Sequence, residues 1–378
     1  MEILFTFLGE WTEVWRPMKK FFRLTRFRFV VSSFFMVAAA AIFLGACTKK
    51  DGGAEASKKL HLAIWSNYIS PEMLREFTKE TGISVEISNY SSNEELLAKL
   101  QAGAAGIDVA VPSDYMVATM AELGLVEPLN LAEVPNFKDV AANLVGLYFD
   151  PANEYSVPFS WGTTGIAVNR SLFKGQIKSF KDLFSSPEAK GKYSLLDDVR
   201  ETLGAALKSS GYSLNSVDEK EIAEAKKVLM IARNNVRAYT SETKPGLISG
   251  DLPIAHAYSS DALQAGAKTK GAVDYVIPED GCTRWVDTVV IPKGSKAKRE
   301  AHRLINFLIS PKVGAERAKT LFSAPSNVKS FDLMDSELKN DARLFPPAAV
   351  LAKCEMIKDL GDSLVTWDKN WTEVRASR

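Results

Sequence analysis

From residue 60 to the C-terminus the chain alternates short apolar runs with stretches of helical period. Residues 60–65 read as a strand. Ser70-Pro71 then opens a helix, with Ser as N-cap and Pro at the first helical position, where its missing N–H costs nothing. Leu74 and Phe77, three apart, mark that helix's buried face, and Gly82 ends it. Residues 83–87 read as the next strand, 93–100 as a helix with Leu96, Leu97 and Leu100 inward, and 108–111 as a third strand. Strand and helix taking turns in this way predict a parallel sheet with right-handed crossovers. The alternation resumes with a strand over 155–168, helices over 199–208 and 219–232, and strands over 236–239 and 254–258. A strand over 285–291 and amphipathic helices over 296–308 and 311–321 follow. Two α/β units at roughly 150 residues each fit this length.

A different pattern stands ahead of it. Lys19, Lys20, Arg23, Arg26 and Arg28 form a positive region, an uncharged apolar run covers residues 29–44, and small residues precede Cys47. That is the layout of an export leader, here residues 18–46, with residues 1–17 reading as an upstream extension. Leu44-Gly45-Ala46-Cys47 resembles the lipobox of bacterial lipoproteins, which implies cleavage before Cys47, acylation of its sulfur and a chain held at a membrane surface. The run falls short of the about 20 residues that a spanning helix needs. A retained anchor helix is the alternative. Residues 47–59, polar and without period, read as a flexible tether.

Composition narrows the function. A hydrophobic content of 46% fits a packed core rather than disorder. Six of 47 Lys+Arg and three of 46 Asp+Glu lie before Cys47, leaving 41 against 43, so no clustered basic face for nucleic acid is expected. His61, His256 and His302 lack ligand spacing, which argues against a metal site. Gly162-Thr163-Thr164-Gly165 is no phosphate loop and no Gly-x-Ser-x-Gly elbow occurs, so neither an enzyme nor a cofactor is expected. Besides Cys47 the cysteines are Cys282 and Cys354; spacing alone leaves open whether they bridge in an oxidising compartment.

Ligands of open parallel sheets bind beyond the carboxyl ends of the strands. Those stations carry Trp65-Ser66-Asn67-Tyr68, Pro112-Ser113-Asp114-Tyr115, Asp197-Asp198-Val199-Arg200-Glu201, Tyr258-Ser259-Ser260-Asp261 and Arg284-Trp285-Val286-Asp287. Carboxylates that pair with ammonium groups, beside π-faces that hold charge and methylenes, are what a small organic cation needs.

In order along the chain, Trp65-x-x-Tyr68-Ile69-x-Pro71, Leu74-Arg75-Glu76-Phe77, Tyr90-x-Ser92-Asn93-Glu94, Asp108-Val109-x-Val111-Pro112-Ser113, Val157-Pro158-Phe159-x-Trp161-Gly162-Thr163 and Trp285-Val286-Asp287 resemble the spermidine/putrescine-binding proteins of bacterial polyamine ABC transporters. The likeness runs from about residue 60 to the C-terminus. It implies an α/β, two-lobed periplasmic-binding-protein fold with a ligand cleft between lobes joined by crossover strands. The first lobe would hold residues 60–162 and 286–331, the second 163–285 and 332–378. Carried over one at a time, Trp65, Ser66 and Tyr68 match the first lobe's aromatic and hydroxyl positions, and Ser113 and Tyr115 its second loop. Asp198 and Glu201 match the acidic pair of the second lobe, Tyr258 falls where the family has tryptophan, and Trp285 and Asp287 match the central aromatic-acid pair. Two departures stand out: Phe322 replaces a tyrosine, and near Ile357 a glutamine is absent. Asp261 lies where a putrescine-preferring relative carries an extra acid.

Each of these residues also has a plainer reading. Asp198-x-x-Glu201 is a capping box, compatible with presenting both carboxylates on one helix face. Trp65, Tyr115, Tyr258 and Trp285 could be core aromatics, and Trp367 and Trp371, four apart, a packed helix stripe. The resemblance favours a monomeric, lipid-anchored periplasmic protein that captures putrescine or spermidine for the permease and ATPase of an ABC importer. A binder of another small cationic or polar solute, a ligand-sensing lipoprotein and, remotely, a tethered hydrolase using paired carboxylates are the alternatives.

Overall fold

The computed structural model describes residues 59–66, 68–103 and 106–376; the leader, Cys47 and residues 47–58 lie outside them. The chain begins with β1 (Lys59–Trp65), whose Leu60, Leu62, Ala63 and Ile64 are all buried. Ser70 caps α1 (Pro71–Thr81), its Oγ accepting from the Met73 N–H at 3.3 Å, and Gly82 closes it at φ 72°, a conformation cheap only for glycine. β2 (Ser84–Tyr90), α2 (Asn93–Gln101), β3 (Val109–Ala110), α3 (Asp114–Glu122) and β4 (Ser156–Asn169) follow.

Then come α4 (Phe180–Ser185), β5 (Tyr193–Leu195), α5 (Val199–Ser209), α6 (Glu219–Ala232), β6 (Val236–Tyr239), α7 (Thr243–Ser249), β7 (Ile254–Tyr258), α8 (Ser259–Lys268), β8 (Val273–Val276) and β9 (Thr283–Val290). The last stretch holds α9 (Lys298–Leu308), α10 (Pro311–Leu321), β10 (Ala324–Pro325), α11 (Ser336–Lys339), α12 (Ala348–Leu351) and α13 (Leu364–Ala376).

The strands run in the order β2-β1-β3-β9-β4-β7-β5-β6, with β8 and β10 also on β4. The expected parallel sheet survives only in the two wings: β1 pairs in parallel with β2 and β3, and β5 with β6 and β7. Where β3, β9, β4 and β7 meet, every pairing is antiparallel. The reason lies in the connections. Helical crossovers keep the strands of each wing running one way; β4 keeps the direction of the first wing, while β9, β7, β5 and β6 run against it, so the two wings meet antiparallel at the centre.

Apolar side chains gather accordingly. One cluster sets β1, α1 and α9 against the inner residues of β9, Val286 and Val289 among them; another packs α5, α6 and α13 around Tyr193 and Trp367. Trp367 is fully buried and Trp371 packs beside it, so the C-terminal tryptophans are a core stripe. Leu97, expected inward, is only half-buried.

Candidate functional site

The antiparallel centre is where the site forms. β4 and β9 run side by side with Ser160 opposite Asp287 and Gly162 opposite Trp285. Side chains alternate along a strand, so Thr283, Trp285 and Asp287 share one face while Val286 enters the core on the other. Trp285 needs the bare backbone of Gly162. A Cβ there would stand 2.4 Å from Trp285 Cζ2 and 2.8 Å from Ser259 Oγ. The ring is 8% exposed, and its indole N–H has no partner among the described residues.

Asp287, 5% exposed, is gripped from the first wing. Ser113 is the N-cap of α3 but makes no side-chain cap bond; its hydroxyl donates instead to Asp287 Oδ1 at 2.7 Å. The Tyr68 hydroxyl donates to Oδ2. Burial nonetheless pushes the Asp287 carboxyl up to about 6, against the pull of these two bonds and of the Arg317 guanidinium. Arg317 is fully buried, its guanidinium 3.6 Å from the Phe159 ring centroid and its Nη2 donating to Ser323 Oγ at 2.8 Å. Nothing in the sequence around Arg317 marks this placement.

The other expected residues of that wing fall nearby. The Trp65 indole donates to Val111 O at 2.9 Å with its ring 4.7 Å from that of Tyr90, so it is fixed rather than swinging. Tyr115 donates to Glu94 Oε1 at 3.1 Å and accepts from Asn93 Nδ2 at 3.1 Å, while Asn93 Oδ1 accepts from the Ser113 N–H at 3.1 Å. Asn93, buried at the start of α2, thus sets both Ser113 and Tyr115. Asp114 accepts from the Tyr115 and Val286 N–H groups at 2.7 and 3.1 Å, and burial lifts its carboxyl to about 7. Ser66 lies exposed on the turn after β1.

From the second wing, Asp198 caps α5 by accepting from the Glu201 N–H at 3.0 Å. The return bond of a capping box is replaced. Glu201 accepts from Thr164 Oγ1 of β4 at 2.9 Å and from Thr283 Oγ1 of β9 at 2.7 Å. It is 4% exposed, and burial, reinforced by Asp198, raises its carboxyl to about 8; burial raises Asp198 as well, with Glu94 adding to it. Tyr258, the N-cap of α8, has its hydroxyl raised well above the usual range by burial, then by Asp198, Glu201, Tyr115 and Asp287. That set of neighbours joins both wings around one tyrosine. Asp261 stands apart: burial raises it, and the charges acting on it are Lys244 and Glu242.

The two departures also have positions. Phe322 ends α10 at φ 48° and packs against the cluster holding Leu263 and Ala318, while Ile357 is buried and its carbonyl accepts from the Tyr148 hydroxyl.

Among the described residues neither the buried Asp114, Glu201 and Asp287 nor the half-buried Asp198 forms an ion pair, whereas the exposed acids Glu72 and Glu86 and the half-buried Glu95 each do. Buried carboxylates are ordinarily paired, because desolvation disfavours the charge. A wall of four acids lined by Trp285, Tyr68, Tyr115 and Tyr258 has the chemistry to receive a cation that carries its own methylenes.

Comparison with known proteins agrees in extent and kind. Residues 72–346 match the family model of bacterial extracellular solute-binding proteins. The spermidine/putrescine-binding periplasmic protein of Escherichia coli K12 is 34% identical over 349 residues, covering 91% of this chain and 98% of its own. A putrescine/cadaverine-binding protein of Pseudomonas aeruginosa is 31% identical, covering 85% of this chain and 95% of its own. A solved structure of a putative spermidine/putrescine ABC transporter protein from Listeria monocytogenes superposes with a TM-score of 0.80 at 34% identity, over 85% of this chain and all of that one. The architecture is the two-lobed α/β fold of these periplasmic binding proteins, and the chain belongs to the bacterial extracellular solute-binding protein family.

Proposed function

We propose that this protein captures linear polyamines, putrescine or spermidine or both, between its lobes and delivers them to the permease and ATPase of an ABC importer. The observation that carries the reading is the pair of buried, unpaired carboxylates Asp287 and Glu201 on either side of Trp285. Asp287 would hold one ammonium with Ser113 and Tyr68 fixing its orientation, Glu201 and Asp198 another, and Trp285, Trp65, Tyr115 and Tyr258 the chain between them. Ser66 and Asp261 would act from the rim. Binding rather than turnover is the work assigned to these residues.

Lobes of residues 60–162 with 286–331 and 163–285 with 332–378 follow from the same reading. They are supported by apolar clusters that join 60–159 to 286–313 and 166–282 to 360–374; α10 touches both sides, Val313 on one and Ala315 on the other. Acylation of Cys47 would tether the monomer in the periplasm. Calorimetric titration with putrescine, cadaverine, spermidine and spermine tests the reading: saturable heat with at least one is expected, and none with all four at millimolar ligand would overturn it.

A further inference from the structure

Cys282 and Cys354 are 72 residues apart in sequence, yet their sulfurs lie 2.6 Å from each other. Backbone structure brings them there. Thr283 and Glu355 form a parallel bridge, in which the Glu355 N–H donates to Cys282 O at 2.9 Å and the Arg284 N–H to Glu355 O at 2.8 Å. The two cysteines are the residues immediately before that bridged pair and so sit side by side on neighbouring strands. Approach of this kind needs only a small side-chain rotation to reach the S–S bond length of about 2.05 Å. Cys282 is fully buried beneath β9, while Cys354 is half-buried and reachable.

The segment that starts at Cys354 is a strap between α5 and the turns that precede β4. Glu355 Oε1 accepts from Lys208 Nζ at 2.8 Å, Met356 O from Asn215 Nδ2 at 2.8 Å, Ile357 O from the Tyr148 hydroxyl, and Lys358 O from Arg200 Nη1 at 2.8 Å. It ties Tyr148 of the first lobe to α5 of the second, and its other end is anchored on β9, three residues before Trp285. We infer that Cys282 and Cys354 form a disulfide in the exported protein, fastening this strap to the strand that carries Trp285 and Asp287. The inference rests on the export reading for its oxidising surroundings.

The chemistry balances with a disulfide oxidant, either an oxidised dithiol oxidoreductase or oxidised glutathione. The Cys354 thiol is pulled down by its hydrogen bond with Cys282, with Lys208 and Arg284 adding to the effect, so it is the better thiolate. Its sulfur attacks the oxidant's disulfide, forming a mixed disulfide and expelling one thiolate. Cys282 then attacks Cys354 Sγ, the internal bond forms as the second thiolate leaves, and the two cysteine protons pass to the leaving groups.

The test uses protein purified from the periplasm without reductant, denatured and alkylated before and after reduction, then weighed intact. The expected result is a mass lower by two hydrogen atoms than that of the reduced form, with no alkylation of Cys282 or Cys354 until reductant is added. Free alkylation of both overturns the inference when an exported reporter from the same cells is oxidised. If the chain proves not to be exported, its purified thiols are treated with oxidised glutathione instead. Loss of both thiols without retained glutathione supports the pair, and a stable glutathione adduct overturns it. Cys354→Ser, at the more exposed position, should lower the unfolding midpoint of the oxidised protein and abolish its response to dithiothreitol; a midpoint equal to the unreduced parent's would also overturn the inference.

Discussion

Ser113 and Asp287 are 174 residues apart in sequence, yet the Ser113 hydroxyl donates to Asp287 Oδ1 at 2.7 Å. A serine that usually serves its own helix as a cap is spent on orienting a carboxylate of the opposite strand. With the Tyr68 hydroxyl on the second oxygen, Asp287 has little rotational freedom left to lose when a cation arrives.

Asp287→Asn should therefore be the most damaging single change in the site. An ammonium left facing a buried neutral amide loses about 3–5 kcal/mol, or roughly two to three decades of affinity at about 1.4 kcal/mol per decade. Trp285→Ala removes one aromatic face, about 0.5–2 kcal/mol plus buried area, and should cost no more. Calorimetry on both variants checks the ranking. An Asp287→Asn protein that binds every polyamine like the parent would remove Asp287 from the site.

Gly162 is a position no motif of polar residues would single out, yet it decides where Trp285 sits. Gly162→Ala forces its new methyl into the indole, at a cost of about 1–3 kcal/mol in overpacking or a displaced ring. The variant should fold, show altered tryptophan fluorescence and bind more weakly. Unchanged fluorescence together with unchanged affinity would mean the ring does not depend on this contact.

The pattern of apolar residues made most of the wings legible. α1, with Ser70, Pro71 and Gly82 as its punctuation, and α6, with its long amphipathic run, are signals carried within a dozen or so neighbouring residues. The centre was not legible, because the direction in which β9 meets β4 depends on how the intervening turns return the chain. Short strands such as β8 and β10 have too few residues to show a period. The site divides along the same line. Asp198 and Glu201 lie three apart and could be read together, but that Glu201 turns away from its own helix to Thr164 and Thr283 is tertiary information. Asn93 falls in the Tyr90-x-Ser92-Asn93-Glu94 motif and Arg317 in no motif, yet the partners of both are tertiary: one is a helix-start residue and the other a helix arginine until the fold brings Ser113 and Tyr68 to them.

Asp261 is expected to discriminate between ligands. Its charged neighbours are Lys244 and Glu242 rather than the central acids, so it would reach a ligand only from the edge. Asp261→Asn should cost less than Asp287→Asn and weaken putrescine more than spermidine. Equal losses for the two would strip Asp261 of any role in that choice.

Cys47→Ala tests the anchor. One acyl chain alone holds a protein only marginally, and stable anchoring takes more than one. The alanine variant lacks the acylation site, so after a salt wash it should leave the membrane fraction. Retention of the processed variant in the pellet would disprove the lipid tether.

If the four acids hold the ligand, binding should show a definite pH dependence. Burial holds the carboxyls of Asp287, Asp114 and Glu201 up at about 6, 7 and 8, and it raises Asp198 as well. These groups bind protons more tightly folded than unfolded. The stability they lend the free protein is complete below about pH 4 and is lost as the pH rises through each folded value. A polyamine, whose amines resemble lysine at about 10.4, stays charged over that whole range and favours the ionised acids. Affinity should thus climb from pH 5 to pH 8. Below pH 8 the complex should form with net release of protons, readable as a dependence of the calorimetric heat on the buffer's ionisation enthalpy. The ligand's thermal stabilisation should grow over the same interval, because the free protein weakens where the complex gains. A flat affinity from pH 5 to pH 8, with heats independent of buffer, would show that the cation is held by groups other than these carboxylates.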